Sequence, residues 1–501
     1  MDLVSFLREP WKTSFPAYDG SVFNIRPAPE YANAEVVVAS LYRAVGFEGH
    51  SERNVPSAGR EFDKSIRKTQ PDNSISGPAW SSVVHGILES PRLPNQSTKR
   101  FLQLCPIVPD VALYSGTART SGNSWNPGLL IQRLLRLGCD SAEDFHGLWR
   151  QLFDAVSVTE GDDIWARWLH EEFSRRRQGT IGWKYQPPAE GPDLPAEEKS
   201  VLDCPAQQLV RDLRSIIGAK EHMTRRQWVS LLEAILRLGA VTHVLWLCDV
   251  NDRIWQLTKG VLLGETTPEA QRVSESLLAS GPPHLVYGNP SVPIIREFAS
   301  RYLQARLSIN FLLWKLVECN VSVSSLSSSA DVRSLLVAVE ANREQLDPAA
   351  FMEELGILRD SQARLLACKA GIGSNLVEFG QHVLGQRRTL NETLRGFDQG
   401  YFLKKRGQSS NAPWVLSLGP VAVLALVHCC LNEVSGPRSV ERLCVHLSRY
   451  GLAVDRDDIA KSDLGQKLRM LGLILDSPDA ESGMLLIPPF AQGRILQGAA
   501  S

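Results

Sequence analysis

A chain of 501 residues with 43% apolar and 22% charged positions has the composition of an ordinary folded protein, with room for two to four domains. Its formal net charge of −1 excludes a global field that would draw it to nucleic acid or acidic lipid, so such affinity has to come from a local patch. Nine cysteines, an odd number with no CxxC pair, speak against a disulfide framework and a standard zinc module, and fit a reducing, cytoplasmic setting.

In chain order, residues 1–125 read as an N-terminal arm followed by mixed helix and loop. Pro10, Pro16, Pro27 and Pro29 interrupt the first thirty positions, with Trp11, Phe15, Tyr18 and Phe23 between them. That is the pattern of an extended arm packed either on the body of the chain or on a partner. Ala34, Val37, Val38, Leu41 and Val45 then recur at helical spacing, predicting a helix over 31–45 that stops at Gly46. The stretch 49–80 is polar and turn-rich and carries Arg60, Lys64, Arg67 and Lys68.

Residues 126–185 form a helical subdomain, with helices before Gly138, over 140–156 and over 162–177. Residues 186–195 hold four prolines and a glycine, which cannot sustain a helix, so a domain boundary is expected there. Residues 196–394 read as a helical core domain. Thr224 is a good N-cap for the most apolar segment, 228–248, in which Glu233 and Arg237 form an i,i+4 pair worth ~0.3 kcal/mol if exposed. A membrane span would carry such charges at ~2.5–3.5 kcal/mol each, so a buried helix and no membrane association are expected. Ser322–Ser329 reads as a loop. Residues 395–420 are a basic connector.

Residues 421–490 read as a winged helix. Helical segments over 421–431, 439–450 and 456–471 are separated by Ser435-Gly436-Pro437 and Gly451 and precede two short apolar strands, 473–475 and 484–487. An acidic loop with Asp476, Asp479 and Glu481 joins the strands. The fold class is therefore mainly α, a multi-domain helical body with a C-terminal winged helix-turn-helix domain.

In such modules the third helix usually enters the major groove. Here it offers Arg456, Lys461, Lys467 and Arg469, offset by Asp457, Asp458 and Asp463. Lys404, Lys405 and Arg406, beside Tyr401 and Phe402 and before the mobile-looking Gly407–Asn411, suit a nucleic-acid backbone; taken alone, the run is better accounted for by a solvated helix end. Arg175, Arg176 and Arg177 form another basic run, which Glu171 and Glu172 could simply pair. His428, Cys429, Cys430, Cys444 and His446 are metal-capable by type. Adjacent cysteines on a helix point about 100° apart, however, and these positions match apolar faces, so no metal is expected. There is no GxxxxGK[ST], HExxH or GxSxG motif. His243 reads as a satisfied core histidine rather than a base.

Phe402-Leu-Lys-Lys-Arg-Gly407, the apolar helix at Val421, Leu447–Asp455, and Leu468–Leu473 running into Ser477–Glu481 resemble the C-terminal region of accessory subunits of bacterial anti-phage operons. Among these the stretch is similar to the G subunit of phosphorothioation-dependent restriction. The stretch from Arg225 to Trp255 is similar to helical subunits of methylation-associated defence systems. The resemblance implies a non-catalytic subunit acting beside ATPase, nuclease or methyltransferase partners; with the winged helix and the two basic runs, the expectation is an accessory or scaffold subunit of a defence complex, without cofactors, that contacts DNA. A pure protein adaptor, and a divergent metal-dependent nuclease, are the alternatives.

Overall fold

The Thr224 hydroxyl accepts from the Gln227 N–H, and the Gln227 side chain accepts from the Thr224 N–H at 3.0 Å; this capping box opens a helix over Arg225–Leu262. Its 38 residues extend about 57 Å. That is far beyond the 228–248 expected, because the polar turns on either side continue the helix. It ends before Gly264, which takes φ +76°. Apolar side chains surround its whole circumference, so it has to be encased. By length and composition it could cross a membrane, but here it is almost wholly buried inside the protein.

The computed structural model describes residues 3–8, 10–11, 16–25, 34–48, 75–91, 104–114, 127–176, 182–279, 281, 283–323, 325–387, 398–409, 411–432, 434, 436–476 and 484–490. The fold is mainly helical. The principal helices of the body are α1 (Leu3–Arg8), α2 (Ala34–Gly46), α3 (Pro127–Gly138), α4 (Ala142–Val156), α5 (Ile164–Arg176), α6 (Pro205–Gly218), the central α7 (Arg225–Leu262), α8 (Val292–Glu318), α9 (Ser329–Ala341), α10 (Pro348–Ser361) and α11 (Gly371–Leu384). Helices α2, α6, α8, α9 and α11 all pack on α7. One apolar core runs from Phe6 to Leu486, with a satellite around Trp80, Val108 and Phe173.

The N-terminal arm packs on this body. The Phe6 ring lies 5.5 Å from those of Phe311 and Trp314, Trp11 Nε1 donates to Gln362 Oε1 at 2.9 Å, and Tyr18 and Phe23 are buried. The proline-rich stretch 186–195 is extended, as its prolines require, but the core is continuous across it. Trp149 Nε1 donates to the Gln186 carbonyl at 3.0 Å, and Lys199 pairs with Asp193 at 3.0 Å. Helices α3 and α6, on opposite sides of it in sequence, meet so closely that a Cβ at Gly138 would lie 2.3 Å from the Ala206 carbonyl oxygen. Arg60, Lys64, Arg67 and Lys68 lie outside the described residues.

Strand β1 (Leu285–Val286) precedes α8, and the expected connector contains a hairpin of β2 (Leu403–Lys405) and β3 (Trp414–Leu416). The C-terminal region then runs α12 (Pro420–Leu431), β4 (Arg438–Ser439), α13 (Glu441–Ser448), β5 (Leu452–Ala453), α14 (Asp463–Met470), β6 (Ile474–Asp476) and β7 (Met484–Leu486). β4, β7 and β6 form an antiparallel sheet in that order. Two details differ from the sequence reading. Residues 438–439 form a strand, and the third helical segment breaks at 460–462, where Ser462 Oγ turns back to the Ile459 carbonyl at 3.0 Å. The joining loop 477–483 lies outside the described residues. β5 pairs in parallel with β1, Leu452 opposite Leu285, which docks this region on the body.

Candidate nucleic-acid interface

The cations of 404–406 sit on a strand rather than at a helix end or in a mobile loop. Leu403 pairs with Leu416, Lys404 with Val415 and Lys405 with Trp414, and the Arg406 N–H donates to the Pro413 carbonyl at 2.9 Å, prolonging the ladder. Buried Leu403 and Leu416 anchor the pair to the core. The Lys405 ammonium lies 5.8 Å from the centre of the Trp414 ring, a cation–π contact across the strands.

This hairpin forms one wall of a groove of about 570 Å³. Its floor includes Tyr287, Val415 and Ala453, and the opposite wall carries Asp455, Lys461, Ser462 and Asp463 from the approach to α14. The groove thus brings together Lys404, Lys405, Arg406 and Lys461, expected from sequence, with two carboxylates. The acids are largely engaged. Asp463 accepts from Tyr287 at 2.5 Å and from Ser417 and Lys467 at 2.8 Å, and Asp455 accepts from the Asp457 N–H at 2.9 Å. Burial pushes the Asp463 carboxyl up, but the Lys467 and Tyr287 hydrogen bonds and the Lys467 charge outweigh it and hold the group below the usual carboxylate range. The groove therefore presents net positive charge.

The remaining predicted cations are placed elsewhere. Lys467 is buried, donating to Ser417 Oγ at 3.2 Å, to the Leu418 carbonyl at 2.5 Å and to Asp463; it is an interior tether and cannot line a DNA-facing surface. Arg456 and Arg469 are exposed outside the groove, and Arg469 reaches the Ala460 carbonyl at 3.4 Å. Arg175 pairs with Glu171 and, at 3.3 Å, with Glu172. Arg176 is 4% exposed, pairs with Glu172 at 3.4 Å and stacks over Trp80 at 4.6 Å, so it too belongs to the interior. Arg177 lies outside the described residues.

Glu233 and Arg237 are not a surface pair. Arg237 is fully buried and grips Asp398 with two bonds of 2.9 and 2.7 Å, while Arg387 joins Glu35 and lies 3.4 Å from Glu233. Burial and the neighbouring Glu35 push Glu233 up to about 8. His243 is buried and stacked on Trp246 at 5.5 Å, and burial lowers it to about 3. Its Nδ1 has no hydrogen-bond partner among the described residues, so it is a neutral core residue but not a satisfied one. Cys429 and Cys430 are buried, their thiols directed to the Asp212 and Val427 carbonyls. Among the described residues no three His, Cys, Asp or Glu side chains are placed to hold a metal ion.

Sequence reasoning missed Tyr287 and Ser417 in the groove. No local signal could place Tyr287 beside an aspartate 176 residues later. No protein-family model matches the chain, and no curated protein matches it significantly.

Proposed function

We propose that this chain is a non-catalytic accessory or scaffold subunit of a multi-protein assembly, of the kind its resemblance to bacterial anti-phage defence subunits implies, and that it contacts DNA. The observation that carries the reading is the groove in which Lys404, Lys405, Arg406 and Lys461 converge while Asp463 is engaged internally and Asp455 is the one exposed acid in its lining. Phosphate neutralisation by such cations is sequence-independent and supplies most non-specific affinity. The elements of 420–486 run α12, β4, α13, β5, α14, β6 and β7 with β4 beside β7; apart from β5, which pairs outside the region with β1, this order supports a winged-helix reading. Its third helix is a weak major-groove reader, because Lys467 faces inward; the backbone-tracking groove is the better contact.

The test is binding to a labelled duplex across a salt series. Wild-type affinity falls steeply with salt. Replacing Lys404, Lys405 and Arg406 with Ala reduces the log–log slope by about 2.7, at ~0.9 per phosphate contact. An unchanged slope removes the groove from the reading.

A second reading, a pure protein adaptor, is favoured by one observation. Met470, Leu471 and Leu475 are 77%, 37% and 49% exposed, close together at the end of α14 and on β6. Exposed apolar groups in such a cluster mark protein contacts. This reading expects no duplex binding at low salt and partners that stay bound through nuclease treatment and high salt.

A further inference from the structure

Helix α6 carries Arg211 and Arg214 one turn apart on one face. Helix α13 carries Arg442, and two turns on, at its C-cap, lies Arg449. All four arginines line one cleft of about 300 Å³, with Asp212 and His446 at its base.

Like charges facing one another across a helix pair are costly unless something of opposite sign lies between them. The carboxylates at hand offset them only in part: Asp144 pairs with Arg214 and leaves the other three. Asp212 is 1% exposed and already accepts from Gln208 at 2.7 Å and Tyr450 at 2.8 Å, with His446 Nε2 at 2.9 Å. Asp144 is committed to Arg214 at 2.5 Å. The other contacts are neutral. Arg442 Nε donates to the Cys430 carbonyl and Arg449 to Gln208 Oε1 at 3.1 Å, while Arg211 makes no hydrogen bond or ion pair with any described residue. Guanidinium forks offer several N–H donors each, and those not used here match the oxygens of a phosphate.

We propose that the cleft between α6 and α13 binds the phosphate group of a small phosphorylated ligand. Its volume, at the lower end of the ligand-pocket range, suits one phosphomonoester or mononucleotide. The site is separate from the hairpin groove and does not depend on the DNA reading.

The test is calorimetric titration of the full chain with inorganic phosphate, with adenosine 5′-monophosphate and with a short DNA duplex. Wild type is compared with Arg211→Glu, Arg211→Ala and Arg442→Gln, with thermal melting as the check on folding. Arg211 is exposed and makes no bond among the described residues, so its variants should fold. Saturable phosphate or nucleotide binding, weakened about tenfold or more by Arg211→Glu, is the expected result. Binding of the duplex alone, with neither phosphate nor the nucleotide bound, overturns the small-ligand assignment. No binding of any of the three, or binding that Arg211→Glu leaves unchanged, overturns the proposal.

Discussion

The Tyr287 hydroxyl donates to Asp463 Oδ1 at 2.5 Å, joining the segment after β1 to the first turn of α14. The bond lies beside the β1–β5 pairing, so backbone and side chain fasten the C-terminal region at the same place. Hydrogen bonds to charged acceptors contribute ~1.5–3 kcal/mol. Because the Asp463 side chain is 41% exposed, Tyr287→Phe should cost about 1.5 kcal/mol, the low end of that range. Urea denaturation measures this; an unchanged midpoint would mean that water replaces the phenol without loss.

Lys467 separates structural from phosphate-binding cations. Its ammonium is buried and holds two side chains and a carbonyl. Lys467→Ala should lower stability by about 2–4 kcal/mol while leaving the salt slope of duplex binding as it was. A reduced slope in a folded variant would place Lys467 on the DNA after all.

Arg237→Ala removes both bonds to the buried Asp398 carboxylate. Breaking a buried pair costs ~3–5 kcal/mol, and since Arg387 Nε stays 3.5 Å from Asp398, about 3 kcal/mol is expected. A loss below about 1 kcal/mol in chemical denaturation would contradict the arrangement.

Stability should pass through a maximum near pH 6.5–7. His243, His284 and His382 are held neutral by burial, at about 3, 4 and 4. The unfolded chain binds their protons first, so stability falls as pH drops below the ordinary histidine value. Glu233 acts in the opposite direction. Its folded-state value of about 8 means the native state holds a proton that the unfolded chain has released, so stability declines as pH rises toward 8. Thermal midpoints from pH 5 to 9 should show this dome, and Glu233→Gln should flatten its alkaline side. A parallel decline in the variant would assign the loss to other groups.

The helical body was legible because its signals are local. Pro127–Gly138 and Ala142–Val156 end within two residues of where periodicity and capping place them, and the serine-rich 322–329 stretch supplies Ser328, the N-cap of α9, with Ser329 its first residue. The hairpin was not legible, because three-residue strands bearing adjacent lysines carry neither alternation nor a turn dipeptide. Lys467 and Arg176 were misplaced for a related reason. Whether a cation faces solvent is decided by Leu418 and Trp80, neighbours that its own helix does not supply. The groove depends on Tyr287 and Lys404 meeting, which only tertiary structure arranges.

The ion pair between Glu35 and Arg387 closes a span of 352 residues. During synthesis at ~5–20 residues per second, the acid on α2 emerges roughly 18–70 s before its guanidinium partner exists. Until α7 is made, the apolar face of α2 has no central helix to cover it, and until Arg387 follows, α2 holds a carboxylate where the finished protein is dry. The early half of the nascent chain is therefore a natural client for chaperones, and a truncation that stops before Arg387 should be insoluble even though most of the helices are present.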